Sequence, residues 1–184
     1  MQTVEATYTY TTEVNRSKFL TYLVPISEYE GLQEKLKQEY PKANHVVYAL
    51  RYINEYEQIV ENFSDDNEPK GCAGVPALNV LRGKELVNCA VLIVRFFGGI
   101  KLGTGGMARA YALAVKNVLV EARLIVYEKK CSYLFSTAYN EVDKTLHTLK
   151  KLGISEYERD FEIDSVKWEI VGSEEKVSIF KKLR

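Results

Sequence analysis

The sequence predicts an α+β protein in two domains, and three observations carry that expectation. The apolar stretches HVVYALRY (His45–Tyr52) and CAVLIVRFF (Cys89–Phe97) have the length and β-branched content of buried strands. Helix-forming runs alternate with them, above all MARAYALAVKNVLVEA (Met107–Ala122). Near Val126–Lys130 the texture changes, and the tail reads as its own strand–helix–strand–strand–helix series. The boundary is therefore set at residue 128, with 1–127 as the larger domain and 128–184 as the smaller.

In chain order, residues 3–12 alternate β-branched and aromatic types (Val4, Tyr8, Tyr10), and KFLTYLVP (Lys18–Pro25) is a second strand. Ser27 stands at an N-cap position with Glu28 and Glu30 in the first turn; Leu32, Leu36 and Tyr40 recur at four-residue spacing until Pro41. His45–Tyr52 and QIVENF (Gln58–Phe63) are strands. Ser64–Pro76 (SDDNEPKGCAGVP) holds two prolines and two glycines and predicts a loop, with a helix beginning at Leu78 and a turn at Arg82–Lys84. In the tail, SYLFSTAY (Ser132–Tyr139) is a strand, and Asn140–Gly153 is an amphipathic helix with Leu146 and Leu149 inward and Gly153 at its C′ position. EYERDFEI and VKWEIV form an antiparallel pair turning near Asp164-Ser165, and Ser173 caps a last helix. That order is one strand short of a ferredoxin-like unit.

Composition bounds the function. Hydrophobic residues make up 46% and charged residues 27%, as in globular domains. The formal net charge is zero, so any attraction to a polyanion comes from a local patch. Cys72, Cys89 and Cys131 form neither a disulfide framework nor a CxxC metal pair. The start MQTVEATYTY lacks a basic and an apolar leader region, and no apolar run approaches the roughly 18 residues of a membrane span. A cytoplasmic protein with reduced thiols and no membrane partner is expected.

RFFGGIKLGTGGMARAY (Arg95–Tyr111) places Gly98, Gly99, Gly103, Gly105 and Gly106 between a strand and a helix. A glycine-rich turn leading into a helix N-terminus suits an oxyanion, because its N–H groups are open and the helix dipole is positive there. From Lys70 to Arg109 the chain holds six cations (Lys70, Arg82, Lys84, Arg95, Lys101, Arg109) against one acid, Glu85. Tight turn geometry and close helix–sheet packing would use the same glycines. A P-loop needs a lysine where Thr104 stands, and a Rossmann turn starting at Gly103 needs a later strand-end acid, whereas Glu121 falls inside the helix pattern. Asp65, Asp66 and Glu68 can hold a cation or act as acid and base, or simply cap loop N–H groups. Cys72 with His45 can be read as a thiol–base pair or as a buried cysteine; His147 belongs to the tail helix. No catalytic set, metal site or cofactor is expected.

FSDDNEPKGCAGVP followed by VLIVRFFGGIKLGTGGMARAYALAV resembles the paired signature of the Impact/YigZ family (uncharacterised protein family 0029), whose pattern is similar to DDGEPxGTAGxP and then RYFGGxKLGxGGLxRAY. RSKF (Arg16–Phe19) and HVVYALRY are similar to that family's N-terminal domain, so the resemblance spans residues 10–125 or so. Cys72 stands where threonine is usual, and Asn67 where glycine is usual, an exchange that a φ > 0 position tolerates. The resemblance implies a ribosomal protein S5 domain 2-like fold for 1–127, shared with small-molecule kinases. For 128–184 it implies a ferredoxin-like, elongation factor G-like domain. It also implies a nucleic-acid binder or translation-linked regulator; the eukaryotic member binds an activator of an amino-acid-starvation kinase.

The expected function is non-catalytic binding of RNA or the ribosome, linked to translation regulation. Lys70, Arg95, Lys101 and Arg109 would face phosphate beside the backbone of Gly98, Gly99 and Gly103–Gly106 and the Thr104 hydroxyl. Asp65, Asp66 and Glu68 would anchor the loop against those cations, and Tyr111 would stack a base or fill the core. Two alternatives stay open: a phosphotransferase with magnesium on Asp65 or Asp66, and a protein–protein regulator.

Overall fold

An antiparallel sheet with helices on both faces organises the first of two units. The computed structural model describes residues 1–184 and divides into Met1–Tyr127 and Glu128–Arg184. A short β1 (Gln2–Thr3) precedes β2 (Tyr8–Val14), β3 (Ser17–Pro25), β4 (His45–Ile53), β5 (Ile59–Ser64) and β6 (Cys89–Phe96); the sheet order is β2-β3-β6-β4-β5. β6 is the central strand, paired on both sides, which is why CAVLIVRF is a continuous apolar run rather than an alternating one. Residue parity sorts the two faces. Val91 and Ile93 join Phe19, Leu23, Val47 and Ala49 beneath α2 (Gly74–Gly83) and α3 (Gly103–Glu121). Leu92 and Val94 join Val24, Val46 and Leu50 on the face covered by α1 (Leu32–Glu39). Arg95 shares the parity of Val91 and Ile93 and so belongs to the α2/α3 side.

Three helix starts differ from the sequence expectation. α2 begins at Gly74, putting Pro76 in its first turn, where a missing N–H costs no helical bond. α3 begins at Gly103 rather than Met107, so three of the five glycines are helical. Ser27 caps nothing: it lies in a 3₁₀ turn (Ile26–Glu28), and Gly31, left-handed at φ 73°, introduces α1. β7 (Ile125–Val126) pairs with β1 and ties the start of this unit to its end.

The second unit runs β8 (Lys130–Thr137), α4 (Val142–Leu152), β9 (Glu156–Phe161), β10 (Val166–Ser173) and α5 (Glu174–Leu183), with the antiparallel order β8-β10-β9. Phe135, Val166, Trp168 and Ile170 build its core with Leu149 and Phe180 from the helices. Gly153 at φ 64° ends α4, and Ser173 precedes α5 without a side-chain capping bond. No helix is long and apolar enough to cross a membrane.

Candidate functional site

The glycine stretch serves two separate purposes. Gly98 lies against the β2–β3 hairpin, where a Cβ would come within 2.1 Å of the Arg16 carbonyl carbon, and its N–H donates to Ser17 Oγ at 3.1 Å. Only glycine passes there. Gly99 and Gly103 take left-handed φ values of 84° and 68° and turn the chain into α3. Gly105 is different: a Cβ there would meet only Arg109 Nη1, at 3.4 Å. The Gly103–Gly106 turn therefore opens α3 with a single side chain, Thr104, and Leu102 at the N-cap supplies no capping bond. Over this turn the first backbone N–H groups of a 19-residue helix have no side-chain cap.

The start of α2 shows the opposite treatment. Asp65 accepts from the N–H groups of Gly71 (2.7 Å), Ala73 (3.1 Å) and Gly74 (2.8 Å), so a carboxylate closes that positive helix end. Asp66 bonds Lys37 Nζ at 2.6 Å and the Val46 N–H at 2.7 Å. Its carbonyl accepts from His45 Nδ1 at 2.7 Å. Asn67 has φ 67°, a left-handed position. These contacts pin the Ser64–Gly74 loop to the end of the sheet.

Glu68 is buried in the interior of this arrangement. Its Oε1 accepts from Arg95 Nη1 and, at 2.7 Å, from the Tyr111 hydroxyl, and His45 Nε2 lies 3.6 Å from the same oxygen. Burial, then the neighbouring Glu68 charge, pushes the Tyr111 phenol far above its ordinary value and keeps it a donor. Arg95 sits between the Phe19 and Phe97 rings at 5.5 and 5.9 Å. With 5% of its surface exposed, Arg95 cannot face a phosphate backbone; its charge answers Glu68 instead. Tyr111 is fully buried and stacks no base. His45, engaged with Asp66 and Glu68, makes no contact with Cys72, whose Sγ lies 3.9 Å from the Lys70 carbonyl.

Of the four cations expected to face phosphate, Lys70, Lys101 and Arg109 remain exposed and without an ion-pair partner. Arg109 lies one turn beyond Gly105, with its guanidinium leaning back over the bare turn. Beside it a cleft of about 240 Å³ opens between Asn15 of the β2–β3 hairpin and Leu102, Gly106 and Arg109, and no carboxylate lines it. Sequence reasoning gave the hairpin no role. The only signal was RSKF, whose Arg16 carbonyl is the surface Gly98 must pass.

The Impact N-terminal domain profile matches residues 15–119, a span that holds the hairpin, the carboxylate loop and the glycine turn. The chain belongs to the Impact family. An IMPACT family member of Haemophilus influenzae is 36% identical over 66% of this chain and 63% of its own length, so the match spans just under two thirds of that relative. YvyE of Bacillus subtilis is 32% identical over 78% of this chain and 70% of its own, and YigZ of Escherichia coli 33% over 66% and 64%. Among solved structures, a hypothetical protein superposes with a TM-score of 0.65 and 26% identity over 99% of this chain and 90% of that one. In this Impact chain the two signature stretches divide the work. The first spends its carboxylates on backbone N–H groups and buried partners to hold the loop, and the second leaves one helix end uncapped.

Proposed function

We propose that this Impact-family chain is a non-catalytic binding protein that holds RNA, alone or within the ribosome, by its phosphate backbone and regulates translation in the cytoplasm. The observation that carries this reading is the contrast between two helix starts on one sheet face. Asp65 fills the positive end of α2, while the end of α3 stays uncapped beside Lys101 and Arg109. Thr104 and the backbone of Gly103, Gly105 and Gly106 would meet phosphate oxygens, with Lys70 and Gly99 extending the surface; Gly98, expected there too, is spent on the hairpin, its N–H held by Ser17 Oγ. Contacts of this kind position a polyanion without reading its sequence. Translation is the setting that the family resemblance implies. The S5 domain 2-like and ferredoxin-like assignments belong to the same proposal; for the second, the β8-β10-β9 order is the supporting observation. A phosphotransferase would need Asp65 or Asp66 free for magnesium, and both hold backbone N–H groups.

Gly105→Ala tests the reading. There is room for the methyl group, and alanine favours the helix by up to about 1 kcal/mol, so folding is retained or improved. Binding to a labelled single-stranded RNA should weaken, because the methyl stands in the bare turn. Unchanged RNA affinity in a normally folded Gly105→Ala protein would remove the turn from the interface.

A further inference from the structure

A second surface lies toward the other end of α3. Met107, Tyr111, Val115 and Val118 point into the core, while Ala112 and Val120, with the edge of the buried Leu119, form a second apolar stripe on α3. With Pro76 and Val80 of α2 and Leu124 beyond α3, this stripe lines a groove of about 710 Å³. Val120 is 81% exposed, which leaves a large apolar side chain in the last turn of α3 facing water. Lys84 and Lys116 stand on the rim, neither in an ion pair, and no carboxylate lines the groove, although Glu85 and Glu121 neighbour it in sequence.

We propose that this groove takes up an acidic amphipathic helix of a partner protein. Its walls are helices, so it offers no free strand edge for a peptide to extend; an occupant has to satisfy its own backbone, as a helix does. Ala112 to Val120 covers about 12 Å at 1.5 Å per residue, the length of two helical turns. That length fits three apolar anchors at i, i+3 or i+4, and i+7. Small residues on the walls, Gly83 and Ala112, let a helix backbone come close. The two unpaired lysines select carboxylates on the occupant's flanks. A second copy of this chain fits worse, because a two-fold contact would bring the same lysines toward each other. The groove lies apart from Gly103–Gly106, so it is independent of the RNA reading.

The test uses the full chain and two synthetic helical peptides with leucine at i, i+3 and i+7. One carries glutamate at the flanking positions and the other lysine. The acidic peptide should bind at least about tenfold tighter than the basic one and shift the amide resonances of Ala112, Leu119 and Val120. Val120→Glu should weaken it by about tenfold or more while leaving RNA binding unchanged, and Lys84→Glu/Lys116→Glu should reverse the preference between the peptides. No acidic-peptide binding, equal affinity for both peptides, or a preference that survives the charge swap would overturn the proposal. So would a concentration-dependent dimer that Val120→Glu dissolves, which would make the occupant a second copy.

Discussion

Replacing Glu68 by leucine should cost the first unit about 3–5 kcal/mol, the usual loss when one partner of a buried pair is removed and the other charge stays behind. The structure gives the reason. Arg95 is 5% exposed, its Nε has no partner, and without Glu68 its Nη1 keeps only Met107 Sδ at 3.2 Å. The Tyr111 hydroxyl loses its acceptor as well, within the same desolvated cluster, so the two losses overlap rather than add. Against a total stability of about 5–15 kcal/mol this is a large fraction. At about 3 °C per kcal/mol for a chain of this size, Tm should fall by about 10–15 °C. Removing both charges should restore most of that loss, because an apolar replacement leaves no buried ion. The assay is thermal unfolding of wild type, Glu68→Leu, Arg95→Met and the double variant near neutral pH. If Glu68→Leu shifts Tm by less than about 3 °C, or if the two single effects simply add, the buried pair is not what holds the loop to the sheet.

Other consequences are equally direct. Gly98→Ala should abolish folding or strongly lower Tm, since its Cβ would lie 2.1 Å from backbone; a soluble variant melting with wild type would contradict the hairpin crossing. The Glu61 carboxyl is held below its usual range by hydrogen bonds from Arg82 and then Arg51. A depressed folded-state pKa gives stability that is present above the unfolded value of about 4.3 and is lost as pH falls through the folded one. Glu61→Gln should therefore destabilise at neutral pH, with the gap from wild type closing under more acidic conditions. Burial pushes the Cys89 thiol up to about 12, so a thiol reagent at mildly alkaline pH should label Cys72 and Cys131 and reach Cys89 only after unfolding.

The parts of the fold that could be read from the sequence were those with a local pattern. β6 and β4 announced themselves as apolar runs because both are interior strands of one sheet. Gly153 closed α4 because a left-handed residue has a strong local preference for glycine. The helix starts were obscured for local reasons too. Glycine and proline signal turns, yet Pro76 costs no helical bond in the first turn of α2, and the glycines of α3 are carried by the packing of Met107, Tyr111 and Val115 behind them. At the candidate site, Lys101 and Arg109 could be picked out by charge, but the fate of Arg95 could not. Its partner Glu68 is 27 residues away, and their meeting depends on strand parity and on the loop that Asp65 folds. A cation in a motif and a cation in a core look alike until the sheet assigns their faces.

The claim that the start of α3 holds phosphate is tested most directly by the salt dependence of RNA binding. Fluorescence anisotropy of one labelled single-stranded RNA would be followed over a series of salt concentrations for wild type and Lys101→Ala/Arg109→Ala. The account predicts binding that weakens steeply with salt, and a variant whose log K against log salt slope is shallower by about 1.4, the share of two phosphates on a single strand. Equal slopes for the two proteins, or no binding at the lowest salt, would contradict it.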